Sequence, residues 1–239
     1  MFNCPTRNDK EKRVSLSIVI PVRQEAERLP TLLQALQPLR KAGAEVIVVD
    51  GQSTDDTPAI ARLYETVLLQ IPAGRARQMN AGAAIARGNL LLFLHADTRL
   101  PEQESVLALP ELLDKKKKNW GFFAVRLDSS HPVLWLVGKM ISWRSRLSRV
   151  ATGDQAIFVN KSLFQQMGGF PDLPIMEDVA FSKRLRRQHP PLVMPQTVTT
   201  SARRWEKYGI WQTILLMWRL RWAFWRGVPA SSLAKFYHY

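Results

Sequence analysis

Three apolar runs in this chain each end in a cluster of acidic or polar residues. Leu90-Leu91-Leu92-Phe93-Leu94 leads into His95-Ala96-Asp97-Thr98. Val46-Ile47-Val48-Val49 leads into Asp50-Gly51-Gln52-Ser53-Thr54-Asp55, and residues 15–22 lead through Pro21 into Arg23 and Glu25. Short apolar runs without alternation fit strands buried on both faces, as in a parallel sheet. Ligands of open α/β sheets bind outside the carboxyl ends of the strands. Three strands carrying polar groups to one edge therefore predict an enzyme site.

The segments between the runs read as helices. Leu29, Leu32, Leu33, Leu36 and Leu39 form one stripe within residues 26–42. Thr54 or Asp55 is placed to cap a short helix with Pro58 in its first turn, and residues 67–71 read as a strand. A helix over 77–86 stops at Gly88. This β-α-β-α-β-α-β alternation predicts an α/β fold with a mostly parallel sheet and helices on both faces. Further on, helices are expected over 103–114 and 177–188, and strands over 121–127 and 155–159. Lys115–Lys118 reads as a solvated loop, Gly168-Gly169-Phe170-Pro171 as a turn, and 131–149 as a basic, Trp-bearing amphipathic stretch.

The chain has 239 residues, 46% of them hydrophobic, enough to bury a core without staples. Its single cysteine, Cys4, allows no internal disulfide and fits a reducing compartment. Residues 1–13 are polar, lack an apolar signal-peptide core and are expected to fray. Of the net +14 charge, residues 183–239 hold +10, from eleven Lys/Arg and one acid, Glu206. Five of the eight tryptophans lie in the same stretch: Trp205, Trp211, Trp218, Trp222 and Trp225. Cations interleaved with Trp, Leu, Ile, Met and Phe fit an anionic membrane surface better than nucleic acid. Arg219 and Arg221 make residues 210–225 too costly for a spanning helix, so the expectation is an interfacial helix or one docked on the domain.

A set of motifs carries a resemblance. Ser17-Ile18-Val19-Ile20-Pro21-Val22 with Glu25 comes first, then Val48-Val49-Asp50-Gly51-Gln52-Ser53-Thr54-Asp55, then Asn80-Ala81-Gly82. Leu94-His95-Ala96-Asp97, Gly169-Phe170 and Glu177-Asp178 follow. In order and spacing, from residue 15 to about 205, they resemble the family 2 nucleotide-sugar glycosyltransferases of the GT-A fold. Each motif alone is weak; the series is specific. Gly74-Arg75-Ala76-Arg77-Gln78-Met79-Asn80-Ala81-Gly82 and Gly153-Asp154-Gln155 resemble a subgroup whose nearest named relatives are diaponeurosporenoate glucosyltransferase-like, acting on carotenoid acids.

The resemblance implies an inverting, metal-dependent glycosyltransferase with a lipophilic acceptor, cytoplasmic and peripheral on the membrane. The donor would be a nucleotide sugar, most simply a UDP-sugar, and the cofactor Mg²⁺ or Mn²⁺, which suit hard oxygen ligands. Asp97 matches the metal-binding end of the family's Asp-x-Asp, in which His95 replaces the first Asp. Pro21, Glu25, Asp50, Asp55, Arg75, Asn80, His95, Arg203 and Arg204 fall where donor contacts are expected. Asp178 matches the general base, a role a carboxylate fills if it reaches the acceptor hydroxyl. Gly153, Asp154, Gln155 and Glu177 would border the acceptor. The organisation implied is a 1–13 terminus, a 14–205 glycosyltransferase domain and a basic, Trp-rich 206–239 tail.

Two other enzyme classes fit less well. A sugar nucleotidyltransferase needs a glycine-rich turn after the first strand, where this chain has Pro21-Val22-Arg23-Gln24-Glu25. A dinucleotide oxidoreductase needs G-x-G-x-x-G after a strand, and none occurs. An inactive membrane- or nucleic-acid-binding module is the non-enzyme alternative; joint retention of Asp50, Asp97 and Asp178 speaks against it.

Overall fold

The structure, a computed structural model, describes residues 15–237. The expectations for residues 1–13 and Cys4 lie outside the described residues. In chain order the first half runs β1 (Leu16–Val22), α1 (Leu29–Lys41), β2 (Glu45–Asp50), α2 (Thr57–Leu63), β3 (Val67–Gln70), α3 (Arg75–Ile85), β4 (Leu90–Phe93) and β5 (Thr98–Arg99). Then come α4 (Gln103–Leu107), α5 (Leu109–Lys115), β6 (Trp120–Asp128), α6 (Pro132–Ser148), a 3-10 turn (Gly153–Gln155), β7 (Phe158–Asn160) and α7 (Lys161–Gln166). The chain closes with α8 (Glu177–Gln188), β8 (Leu192–Ser201), α9 (Arg203–Tyr208), α10 (Ile210–Trp225) and α11 (Ala230–Ala234).

The eight strands form one sheet in the order β3-β2-β1-β4-β7-β6-β8-β5. β1 pairs in parallel with β2 and β4, β2 with β3, and β6 with β8; the pairs made by β7 and β5 are antiparallel. All six residues of β2 and all four of β4 are buried, as expected of strands covered on both faces. Alternate residues serve opposite layers. Ile18, Ile20, Val46 and Val48 pack under the α1 leucines, while Val19, Ile47 and Val49 meet Ala76, Met79 and Ala83 of α3. α3 lies so close to the sheet that a Cβ on Gly82 would stand 2.4 Å from Val19 Cγ1.

Pro21 sits inside the sheet at no cost to the ladder. The Val19 carbonyl accepts from Leu94 on the β4 side, and the Val22 carbonyl accepts from Gly51 on the β2 side. By alternation Pro21 faces β4, whose pairing with β1 has already ended at Val19.

Three expectations are corrected. The helix over 103–114 is two, divided at Ala108, because Pro110 lies at the start of α5 and its ring cannot continue a helix from α4. The strand over 155–159 shortens to β7, since Gln155 belongs to the 3-10 turn and Ala156 is left-handed, with φ 44°. Residues 192–201, given no element from sequence, form the ten-residue β8. Pro195 argues against a strand there, but it falls in the register shift that takes pairing from Phe123–Met194 to Ala124–Thr197.

α10 is two-sided. Leu220, with Leu216, Met217 and Phe224, packs on Ile175 and Met176 just ahead of α8. Trp211, Leu215, Trp218, Trp222 and Trp225, spaced by fours and threes, form an outer stripe between 61% and 70% exposed. Among the described residues no helix is long and apolar enough to cross a membrane.

Candidate active site

β1, β2 and β4 end at one edge of the sheet, and the polar residues after them form its first wall. Asp50 closes β2 fully buried. Its carboxylate accepts from the Ser53 N–H at 3.1 and 3.2 Å, the Ser53 hydroxyl at 2.5 Å and Gln70 Nε2 at 3.1 Å. Asp50 thus holds the 51–55 loop from within. Gln24, left-handed at φ 56°, clasps the same loop from outside: its Oε1 accepts from Thr54 N–H at 2.7 Å and its own N–H donates to Ser53 Oγ at 2.9 Å. Gln78, buried on α3, ties β1 to β2 by donating to the Val22 and Val49 carbonyls, both at 2.8 Å. Asp55 accepts from the Ala26 and Thr57 N–H groups, each at 3.1 Å, so it orders the entry to α2.

The next group gathers Glu25, Asp97 and Arg203. Glu25 is half-buried and pairs with Arg28 at 3.1 Å. Burial raises its pKa against the pull of Arg28; the Asp97 charge raises it further, and Arg203 opposes. Arg203 reaches this group because β8 ends beside Asp97, whose carbonyl accepts from Ser201 N–H at 3.0 Å. Asp97 itself is exposed, with one long contact from the Thr98 hydroxyl at 3.3 Å.

His95 stands between Asp97 and the turn at Gly153. Burial, then the charge of Arg75, lowers its pKa against Asp97, Asp178 and Asp154, which favours the neutral imidazole at neutral pH. Its ring lies against Gly153, where a Cβ would come within 2.4 Å of Cε1. The Gly153 N–H donates to Asp178 Oδ2 at 2.5 Å, so one glycine joins His95 to the start of α8. Asp178 Oδ1 accepts from Val179 N–H at 2.6 Å, at the positive end of the helix dipole. Glu177 points inward instead and pairs with Arg75 Nε at 3.3 Å. Burial and then the Asp178 charge push its carboxyl up to about 7, against Arg75.

Most residues expected at the site are therefore brought together: Glu25, Arg75, His95, Asp97, Gly153, Asp154, Asp178 and Arg203. Four are redirected. Asn80 donates to the Phe170 carbonyl at 2.8 Å and accepts from its N–H at 2.9 Å, fixing the 168–171 turn instead of facing a donor. Gln155 is fully buried, its amide spent on Thr152, Ser145 and Phe123. Arg204 stacks on Tyr237, 3.7 Å from the ring centroid, and so lies apart from Arg203. Glu177 is too buried to border an acceptor. Arg77 pairs at the surface with Asp172 at 3.6 Å. Sequence reasoning missed Gln24, whose only signal is a polar residue just past a strand end, and Gln78, a glutamine among the small and apolar residues of α3. A hollow of about 380 Å³ lined by Arg40, Glu45, Glu65 and Arg87 opens at the opposite, amino edge of the sheet, away from these groups.

A divalent cation fits this edge. Asp97 offers an exposed hard-oxygen ligand that no ion pair occupies. Among the described residues no three His, Cys, Asp or Glu side chains close into a cage. A cation here would take a ligand or two from the chain and the rest from water and substrate phosphates.

Comparison with known proteins bears on the family and the fold. A "PGL/p-HBAD biosynthesis glycosyltransferase" of Mycobacterium bovis is 27% identical over 161 residues, 64% of this chain and 62% of the relative. A "4,4'-diaponeurosporenoate glycosyltransferase" of Staphylococcus haemolyticus is 29% identical over 43% of this chain and 29% of its own length. This chain spans less than two thirds of either relative. Among solved structures, S. aureus TarS 1–349 superposes with a TM-score of 0.64 at 19% identity, over 79% of this chain and 60% of that one. The mannosyltransferase PcManGT of Pyrobaculum calidifontis, in complex with GDP-Man and Mn²⁺, superposes with a TM-score of 0.63 at 20% identity, over 88% and 61%. The fold is the GT-A fold of these enzymes. The family "Glycosyl transferase family 2" matches residues 17–161, more than half of the sequence, and the chain belongs to that family.

Proposed function

We propose that this protein is an inverting glycosyltransferase that moves a sugar from a nucleoside-diphosphate donor, most simply a UDP-sugar, to a lipophilic acceptor at an anionic membrane surface. The observation that carries this reading is the junction at Gly153, which lies against His95 and donates to Asp178; in this reading His95 serves the donor and Asp178 the acceptor. The 51–55 loop, held by Asp50 and Gln24, forms the nucleoside wall. The diphosphate lies toward Asp97, Arg203 and Arg75. A divalent ion held by Asp97 would offset charge on the departing diphosphate. Asp178 takes the acceptor hydroxyl proton as that oxygen bonds the anomeric carbon and the bond to the diphosphate breaks on the opposite face. Arg203 places positive charge beside the leaving group. With a carboxylate acceptor, already ionised, Asp178 would orient it instead. Neighbours of known structure support the donor class: TarS has been solved with UDP-GlcNAc, and PcManGT with GDP-Man and Mn²⁺.

A thermal-shift screen of nucleoside diphosphates with Mn²⁺ tests the donor assignment. Binding to the folded state alone raises stability by about 2.7 kcal/mol at a hundredfold excess over Kd. At least one diphosphate should raise Tm; a flat screen counts against the reading.

The membrane part rests on the α10 stripe. A second exposed set, Leu136, Met140, Trp143 and Leu147, follows the same spacing on α6. Binding to phosphatidylglycerol vesicles should blue-shift Trp emission, weaken with salt as roughly 1 kcal/mol per Lys or Arg is screened, and persist in part through Trp insertion. Deleting α10 is a poor test, because its inner face covers Ile175 and Met176 beside α8. Trp218→Ser with Trp222→Ser removes only the outer stripe and should release the protein; undiminished vesicle binding would assign that stripe to another partner.

A further inference from the structure

Arg144 and Arg221 have no part in the donor site described above. Arg144 projects from α6. Its Nη2 donates to Ser145 Oγ at 2.8 Å, which in turn donates to Gln155 Oε1 at 2.7 Å. Gln155 ends the 3-10 turn that carries Gly153 and Asp154, so this chain of bonds fixes the guanidinium beside the acceptor-side turn. Arg144 Nε is cut off from solvent and has no hydrogen-bond partner. An orphaned charged donor is costly and calls for an acceptor that the protein itself does not supply, whether water, an ion or a ligand.

The surrounding charges order the site. Glu25 feels Asp97 and Arg203; His95 feels Arg75, Asp97, Asp178 and Asp154; Arg144 feels Arg221, Asp154 and Asp178. Contacts tie part of this set together: His95 lies against Gly153, Gly153 N–H donates to Asp178, and Gln155 of the same turn leads through Ser145 to Arg144. Burial, then the neighbouring Arg221 charge, lowers the Arg144 pKa to about 10. The two acids do not occupy the arginines. Asp178 Oδ2 is taken by the Gly153 N–H, and Asp154 accepts the Thr152 hydroxyl. Among the described residues no carboxylate forms an ion pair with either guanidinium. α10, which carries Arg221, packs on α6 through Ile210 and Ile214 against Leu134 and Val137, and the Arg221 charge is felt at Arg144, so two cations from packed helices act here without a counter-ion in contact.

We propose that Arg144 and Arg221 form an anion subsite for the acceptor, seating a carboxylate or phosphate group borne next to the hydroxyl that Asp178 faces. This rests on the glycosyltransferase reading for the word acceptor, though not for the anion site. A planar guanidinium pairs with such an oxyanion through two parallel N–H bonds, and the subsite would then choose acceptors by charge as well as by apolar contact.

The test uses the full chain and three probes: glycerol 3-phosphate, monomeric dihexanoyl phosphatidylglycerol, and neutral glycerol. Titration by calorimetry should show saturable binding of one or both anions and none of glycerol. A response to glycerol 3-phosphate alone marks a soluble phosphate acceptor; a response to the lipid alone marks a headgroup. Arg144→Gln and Arg221→Gln should each weaken the anion at least tenfold, with Tm and nucleoside-diphosphate affinity unchanged. Arg221 sits on α10, away from the core turn, so its variant keeps the test open if Arg144→Gln fails to fold. Absence of anion binding, or binding indifferent to both substitutions, overturns the proposal. So does a loss confined to nucleoside-diphosphate affinity, which would put the pair on the leaving group. If no nucleotide binds yet the anion binds through both arginines, the subsite stands and the glycosyltransferase reading fails.

Discussion

Asp178→Asn is expected to lower transfer to a hydroxyl acceptor by on the order of 10²–10⁴, the usual loss when a general base is removed. The substitution keeps the shape of the side chain. It keeps one oxygen for the Gly153 N–H, which Asp178 now accepts at 2.5 Å, and gives up the bond from Val179 N–H at 2.6 Å, since the amide nitrogen cannot accept. Nucleoside-diphosphate affinity should therefore match the wild type, and Tm should fall by no more than one lost hydrogen bond, about 1 kcal/mol, accounts for. Turnover unchanged in this variant would reduce Asp178 to an acid that favours the start of α8. A loss of turnover accompanied by an equal loss of Tm would mean that its hydrogen bonds, not its basicity, matter.

Asp97→Ala is expected to abolish the difference between nucleoside-diphosphate binding in Mn²⁺ and in EDTA, and to lower turnover by about 10²-fold or more. A cation at a transferring group supplies several kcal/mol, and about 1.4 kcal/mol is tenfold in rate. The fold should survive, because Asp97 is exposed and its side chain makes only the 3.3 Å contact with Thr98. The converse variant, His95→Asp, restores the family's more usual acid and should hold or raise Mn²⁺ affinity. Calorimetry in both conditions decides each case. Equal affinity of the wild type in Mn²⁺ and EDTA would remove the metal role from Asp97.

The sheet could be read from the chain because its strands are short, apolar on both faces and separated by helices with a clear stripe. β1, β2 and β4 could hardly form anything else. β8 could not be read, because Pro195 and four threonine or serine residues make it look like a loop; its place depends on β6, more than sixty residues earlier. The acids at strand ends were visible for a similar reason: Asp50 and Asp97 interrupt apolar runs. What a motif does not show is the direction of a side chain. Asn80 and Gln155 sit in motif positions, yet both close a neighbouring turn with their amides, which depends on contacts 90 and 32 residues away. Glu177 and Asp178 are adjacent and chemically alike; only the helix start decides that one turns into the core toward Arg75 and the other toward Gly153. The basic, Trp-rich end of the chain likewise reads as one feature in sequence. Folding splits it into an inner face that supports α8, an outer stripe, and Arg203, whose charge acts on Glu25.

The most direct test of the account is donor turnover. The wild-type protein is incubated with UDP-glucose, UDP-N-acetylglucosamine and GDP-mannose in Mn²⁺, with and without phosphatidylglycerol vesicles, and followed by chromatography for released nucleoside diphosphate and by NMR for the anomeric configuration of the sugar. The account predicts that one donor is consumed, that the nucleoside diphosphate appears with a sugar of inverted configuration, and that Asp97→Ala and Asp178→Asn both suppress the reaction. If none of the donors is consumed, or if both variants match the wild type, the assignment of this edge as a glycosyl-transfer site is contradicted.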